Sequence, residues 1–357
     1  MHAFADIINK IRGKGLLAPM LATTDIPFRE VCRGYGAALT FTEMVSAVGI
    51  LREAAISYRN AVFTPDEHPI GIQLVAADPD ICAAAIRELL PLKPDLFDIN
   101  CGCPNERICE AGGGAELLDD LPRFTHILRA AVEASQVPVS VKIRMRGSDS
   151  RQKVQDIVRA AEDGGVSLIT LHARTRNTPY NVAADWEYIA KAVQAATVPI
   201  VGNGDIFSAA DAQRMMRETG CLAVLVARGS LGTPWIFRDI ADAEDCGIET
   251  NAPQSGEMQS LVTNHLKNML REFGSVRALP RLRKHALWYA RHYEGTSGLR
   301  EQLFTDNDAD SIIQTVSRFY DAPCVRLAAD HPLLLDAERR FRERVLYWTT
   351  GIVQPEG

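Results

Sequence analysis

Eight short β-rich runs, most of them followed by a segment of helical periodicity, fill the first 230 residues and restrict this chain to very few architectures. The runs are Leu16 to Pro19, Ala38 to Thr42, Ile70 to Val75, Leu96 to Asn100, Val139 to Arg144, Leu168 to His172, Pro199 to Val201 and Leu222 to Ala227. Between them apolar residues recur at helical spacing, as in Ile81-Ala84-Ala85-Glu88-Leu89, Phe124-Ile127-Leu128-Ala131-Val132 and Val154-Ile157-Val158-Ala161. Strand then helix, eight times over, is the order of a (β/α)8 barrel, an α/β fold. An open doubly wound sheet usually has fewer strands in this length and a Gly-x-Gly-x-x-Gly turn after an early strand, and that turn is missing.

After about residue 240 the alternation stops. Asp245 to Gly256 collects turn-forming residues (Gly247, Asn251, Pro253, Ser255, Gly256), and beyond it only helical patterns remain: Met258 to Phe273, Arg281 to Tyr293, Ala309 to Tyr320 and a charged segment from Asp336 to Arg344. The expected organisation is a barrel domain over 1–245, a linker over 246–256 and a small all-helical domain with a C-terminal extension over 257–357. A chain of 357 residues exceeds what one ordinary core holds, which agrees with two domains. Hydrophobic residues make up 46% and charged residues 24%, with no apolar stretch near the roughly 20 residues of a membrane helix and no signal-peptide block at the start. The eight cysteines are scattered through a large chain, so reduced thiols are expected. These features predict a cytoplasmic enzyme without a membrane partner, monomeric by default.

The strand ends carry the functional argument. Pro19-Met20, Glu43-Met44, Gln73, Asn100 to Cys103, Lys142 to Arg144, His172 to Arg174, Asn203 to Asp205 and Arg228-Gly229 all fall at or just beyond a strand's carboxyl terminus, positions that converge on the mouth of a barrel. Cys103, in Asp98-Ile99-Asn100-Cys101-Gly102-Cys103-Pro104, is a thiol on that rim, and Gly102 is expected to leave room for a flat ligand against the backbone. Gly202-Asn203-Gly204-Asp205 and Ala227-Arg228-Gly229-Ser230-Leu231-Gly232 follow the seventh and eighth runs, the usual phosphate site of such a barrel. Glycines also simply make tight turns, but the two loops together, with Arg228 in the second, favour a phosphorylated cofactor. Gln73, Asn100, Lys142 and His172 bring amide, ammonium and imidazole groups to one rim, a set suited to the polar edge of a flavin ring. Metal binding is the rival reading of Cys101, Cys103, Cys109 and His172; the spacing lacks the Cys-x-x-Cys pairs of structural zinc sites, and no metal is assigned.

As a set, these motifs resemble the tRNA-dihydrouridine synthases. The resemblance runs in order from about residue 15 to 320, through Ala18-Pro19-Met20, the Asp98 to Pro104 motif with Gly112-Gly113-Gly114-Ala115 behind it, Val141-Lys142-Ile143-Arg144, Leu171-His172-Ala173-Arg174-Thr175-Arg176, Gly202-Asn203-Gly204-Asp205-Ile206 and Ala227-Arg228-Gly229. It implies an FMN enzyme that takes hydride from NADPH and reduces a uracil of tRNA to 5,6-dihydrouridine, with Cys103 in the place of the general acid that protonates carbon 5. It implies an FMN site of Pro19, Met20, Gln73, Lys142, His172, Asn203, Gly204, Asp205, Arg228 and Gly229, and puts Asn100 between flavin and substrate base. The region after Tyr320 carries no family motif.

A uracil inside folded tRNA must be extruded to reach a barrel mouth, and the surrounding RNA must be held. The net charge is −6, yet from Thr263 to Arg300 eight cations (Lys267, Arg271, Arg277, Arg281, Arg283, Lys284, Arg291, Arg300) face only Glu272 and Glu294. Charge of one sign concentrated this way is a footprint for phosphates, with Arg281, Arg283 and Lys284 as its centre and Arg144, Arg174 and Arg176 extending it into the mouth. Trp288, Tyr289, His292 and Tyr293 either stack on bases or pack the bundle. Two other functions compete: an FMN oxidoreductase of a free pyrimidine, like dihydroorotate dehydrogenase, which would need no basic helical surface, and a non-catalytic tRNA-binding protein, which would need neither Cys103 nor a flavin site.

Overall fold

The computed structural model describes residues 2–145, 154–243, 252–321, 325–328 and 330–349. Its parallel strands are β1 (Gly15–Leu17), β2 (Thr40–Phe41), β3 (Val45–Ser46), β4 (Ile70–Val75), β5 (Leu96–Cys101), β6 (Val139–Met145), β7 (Leu168–Thr175), β8 (Ile200–Asn203) and β9 (Ala223–Val226). From β4 to β9 each pairs with its neighbour in sequence, and β9 pairs back with β1. The ring is completed where Ala38 N–H donates to the Gly15 carbonyl and Leu17 N–H to the Leu39 carbonyl, both at 3.0 Å. β2 and β3 both pair with β4 and so share one stave, which leaves the eight staves of a (β/α)8 barrel. The run expected over 38–42 is therefore split. Thr40 pairs with Ile70 and Val45 with Leu74, one residue more on this stave than on its partner, and Glu43, in the bulge, is buried.

Strand residues point alternately to the barrel axis and to the helices. On one side Val141, Ile143, Ile169 and Leu171 pack with Phe124, Ile127, Leu128, Ile157 and Val158 of the surrounding helices. Burial of each such side chain contributes about 1.5–3 kcal/mol. Inside the barrel Leu16, Leu39, Leu96, Leu168, Val201 and Ala223 form an apolar floor, closed from below by Ile7 and Ile11 of the first helix, His2–Ile11. Above the floor the inward residues turn polar: Gln73 on β4, Asp98 and Asn100 on β5, Ser140, Lys142 and Arg144 on β6, Thr170, His172 and Arg174 on β7. The apolar lower half holds the sheet together and the polar upper half lines the mouth.

Residues 246–251 of the expected linker lie outside the described residues, and Ser255 already opens a helix capped by the reciprocal Gln254–Glu257 box. That helix, Ser255–Ala290, breaks at Gly274 (φ 67°, ψ 163°), which divides the two expected helical segments, 258–273 and 281–293. With Thr296–Thr305 and Ala309–Asp321 it encloses its own core of Met258, Val262, Leu266, Leu282, Tyr289, Ile312 and Val316. The charged segment 336–344 lies within a last helix, Pro332–Thr349. The helical part is fastened to the barrel at the helix Ile26–Gly34, where the Phe28 ring lies 5.8 Å from His265 and 5.2 Å from His285. Among the described residues no helix is long and apolar enough to cross a membrane.

Candidate active site

Cys103 stands two residues past the end of β5, and its backbone is pinned from two sides. Asn100 Oδ1 accepts from the N–H of Cys103 at 2.9 Å and of Gly102 at 3.2 Å, closing a tight turn over the strand end. From behind, Ala115 N–H donates to the Cys103 carbonyl at 3.0 Å. Gly114 makes that approach feasible: its φ is 60°, and a Cβ there would lie 2.7 Å from the Cys103 oxygen. Asn100 is oriented by Gln73, whose Oε1 accepts from Asn100 Nδ2 at 2.9 Å. Gln73 Nε2 donates to Asp98 Oδ2 at 2.7 Å, and Ser140 Oγ donates to Asp98 Oδ1 at 2.6 Å. Burial pushes the Asp98 carboxyl up to about 6, against the hydrogen bonds from Gln73 and Ser140. Gly102 differs from its expected role. A Cβ there would meet the Ile143 carbonyl carbon at 3.0 Å and Arg144 N at 3.2 Å, so on the side where a side chain would stand the glycine admits the backbone of β6.

Burial raises the Cys103 thiol above its ordinary value; the Asn105 N–H and the Arg144 charge pull the other way and do not cancel it. This thiol keeps its proton at neutral pH. Cys101 and Cys109 are buried free thiols. Lys142 stands level with Asn100 across β5–β6, His172 with Arg144 across β6–β7, and Asn203 with His172 across β7–β8. The expected rim is thus assembled on adjacent staves. Lys142 is lowered to about 8, first by burial and then by Arg144, and keeps most of its charge at neutral pH. His172 is held well below its ordinary value by burial and by Arg144, Lys142, Arg174 and Arg228, so it is a neutral imidazole. Pro19 and Met20 follow β1 in a turn closed by Thr24, which donates and accepts at Met20.

The loops after β8 and β9 meet around Asp205. Arg174 Nη2 bonds both Asp205 oxygens at 2.8 and 2.6 Å, Arg228 Nη2 approaches Oδ1 at 3.0 Å, and Ala184 N–H donates to Oδ2 at 2.8 Å. Asn203 Nδ2 donates to the Leu225 carbonyl at 2.7 Å, tying the two strand ends together below Gly204 and Gly229. Tyr180, from the loop after β7, is a residue that sequence reasoning passed over. Its hydroxyl accepts from Arg144 Nη2 at 2.7 Å, and the guanidinium groups of Arg144, Arg174 and Arg228 lie 5.6, 5.4 and 4.6 Å from its ring centre. Arg144 and Arg174 therefore turn inward around this ring and form no outward basic path. Arg176 stays at the surface, paired with Glu116.

The expected centre of the basic face is used inside the fold. Lys284 is buried and donates to the Ala22 carbonyl at 2.7 Å, on the loop after β1. Arg283 donates to the carbonyls of Leu303 (2.8 Å) and Asp306 (2.6 Å), closing the end of the neighbouring helix. Arg281 lies 3.4 Å from Asp25. Lys267, Arg271, Arg277 and Arg300 are the exposed cations of the stretch, while Trp288, Tyr289 and Tyr293 are buried in the packing. Sequence counts charge; it does not show that a carbonyl and a carboxylate of the barrel await Lys284 and Arg281, and carbonyls at the end of a neighbouring helix Arg283.

Asp25, facing Glu43 in this seam, is raised to about 7 by burial and then by Glu43, against the Phe28 N–H, Arg281 and Lys284. A carboxyl raised on folding is protonated in the native state while the unfolded chain has lost its proton, so Asp25 destabilises the fold progressively as pH rises from about 4 to 7. Asp25→Asn retains an oxygen for the cap on Phe28 N–H at 3.2 Å and does not titrate. Urea denaturation at pH 5 and pH 7.5 should show a smaller loss of stability with pH for the variant than for the wild type. Equal losses would contradict the raised carboxyl.

The donor set fits a flavin mononucleotide: amide, ammonium and neutral imidazole groups at the barrel axis, with guanidinium groups beside the loops after β8 and β9. The model of the family described as dihydrouridine synthase (Dus) matches residues 16–322. The chain is 37% identical over 298 residues to the probable tRNA-dihydrouridine synthase 1 of Synechocystis sp., covering 83% of each chain. It is 36% identical to the probable tRNA-dihydrouridine synthase of Mycobacterium tuberculosis, over 81% of this chain and 77% of that one. With tRNA-dihydrouridine synthase B of Pseudomonas aeruginosa it shares 33% identity, over 85% of this chain and 92% of that one.

Proposed function

Because the chain belongs to the dihydrouridine synthase family, we propose that it reduces the 5,6-double bond of a uridine in tRNA to 5,6-dihydrouridine, with FMN as cofactor and NADPH as reductant. It is an oxidoreductase of that class. The observation that carries the chemical reading is Cys103: a largely buried thiol at the mouth, held by its backbone, with its proton retained by burial.

Gln73, Lys142 and His172 would hold the ring of FMN, and Asn203, Gly204, Asp205, Arg228 and Gly229 its phosphate end, with Pro19 and Met20 alongside. Bound there, FMN would supply the hydride for carbon 6 of the uracil. Cys103 gives its Sγ proton to carbon 5, which needs a neutral acid at that moment. The thiolate that remains lies near the charges of Arg144 and Lys142 and recovers its proton from water. Asn100 sets the acid's position by holding the turn, and Asp98 and Gln73 set Asn100. Around the extruded base, Arg176 and the exposed Lys267, Arg271, Arg277 and Arg300 take RNA phosphates. Arg281 and Lys284 serve the same binding indirectly, by fixing the helical part against the loop after β1, and Arg283 by closing a helix end within that part.

The purified protein should be yellow, its flavin absorbance should bleach with NADPH under anaerobic conditions, and tRNA lacking the modification should restore it with formation of dihydrouridine. A colourless protein that takes up no FMN overturns the cofactor assignment. A bleached protein that tRNA leaves reduced overturns the substrate.

A further inference from the structure

The last helix, Pro332–Thr349, lies beyond the region matched by the family model, yet it sits on the loops after β8 and β9. Two contacts dock it. Phe341 is buried in the barrel's outer core, with the Arg291 guanidinium 4.3 Å from its ring centre, and Glu338 accepts from Arg291 Nε at 2.9 Å. Docking brings Arg342 to the candidate phosphate site. Its carbonyl accepts a hydrogen bond from Arg228 Nη1, and its guanidinium lies 4.5 Å from the centre of the Phe207 ring, with Arg228 at 5.2 Å from the same centre.

Two guanidinium groups sharing one ring repel each other, and an anion between them offsets that repulsion. Arg174 and Arg228 both pair with the carboxylate of Asp205, and Arg342 stands beside Arg228 over Phe207; three guanidinium groups against that one carboxylate leave two positive charges, which a phosphate monoester matches. We propose that the helix Pro332–Thr349 is part of the cofactor's phosphate site: Phe341 and Glu338 seat it, the Arg342 carbonyl positions the Arg228 guanidinium, and the Arg342 side chain adds a second cation for the phosphate. The inference rests on the FMN reading above.

The test compares FMN with riboflavin, which has the same ring and no phosphate. Full-length apoprotein is titrated with each, following the quenching of flavin fluorescence. The wild type should prefer FMN. Arg342→Glu, at an exposed side chain, and Phe341→Ala, which unseats the helix, should each weaken FMN about 10-fold or more, leave riboflavin unchanged, and so erase the preference; Arg342→Lys should restore most of it. If Phe341→Ala does not fold, Arg342→Glu decides. An Arg342→Glu protein that keeps the wild-type FMN preference overturns the proposal, and if it instead loses tRNA affinity as FMN-loaded protein, the cation serves an RNA phosphate. Equal losses for both flavins overturn it as well, since the helix would then only support the fold. A wild type that binds neither flavin removes the FMN reading and this inference together.

Discussion

Cys103→Ala should lower dihydrouridine formation by roughly 100- to 10,000-fold, the range for loss of a positioned acid, while FMN binding and its reduction by NADPH stay as in the wild type. The expected separation follows from the geometry. The side chain that is removed supplies the proton, whereas the backbone contacts of residue 103, to Asn100 and Ala115, do not depend on it. The pH profile gives an independent check. The protonated thiol is the active form and burial raises its pKa, so the reoxidation of reduced enzyme by tRNA should stay level through neutral pH and fall in the alkaline range, where Lys142 and then the thiol lose their protons. Cys101→Ala, at a buried thiol on the strand itself, should keep most activity. Unchanged product yield in Cys103→Ala would remove the residue from the acid role.

The second large effect is on stability. Arg29 and Glu67 form a buried bidentate pair, Nε to Oε2 at 2.5 Å and Nη2 to Oε1 at 3.1 Å, each side chain at most 2% exposed. Arg29 also donates to the carbonyls of Thr24 and Val62, so one guanidinium ties the loop after β1 to the segment leading into β4. Glu67→Ala leaves that cation buried without its carboxylate and should cost about 3–5 kcal/mol. Thr64 N–H, which donates to Glu67 at 2.7 Å, loses its acceptor too. Urea denaturation measures the loss, and a change below about 1 kcal/mol would show that water or a neighbour replaces the carboxylate.

The fold was legible because its signal is local and repeated. A parallel barrel buries both faces of its strands, so β4 to β9 read as apolar runs, and the helices between them keep their own period. The weak point was the stave built from β2 and β3, where a bulge divides the pattern. In the site, Cys103, Gln73, Asn100, Lys142, His172 and Asn203 were legible as polar residues at the ends of apolar strands. Asp98 carries a signal of its own in the sequence: a carboxylate between Phe97 and Ile99 in a buried strand needs partners, and Gln73 and Ser140 supply them. Tyr180 gave none: a tyrosine in a loop becomes significant only when three arginines gather around it.

By itself the sequence determined the number of staves, which ends of them converge, and that a thiol, amides, a lysine and a histidine meet at the mouth. All of this follows from periodicity over a few residues combined with the closure of the ring. The tertiary structure decided where the cations point. Whether an arginine or lysine faces RNA, a phosphate or the protein interior depends on acceptors far away in the chain. Lys284 finds Ala22 across 262 residues, Arg228 finds Arg342 across 114, and Arg29 finds Glu67 across 38. A buried cation needs such a partner, and only the folded chain supplies it.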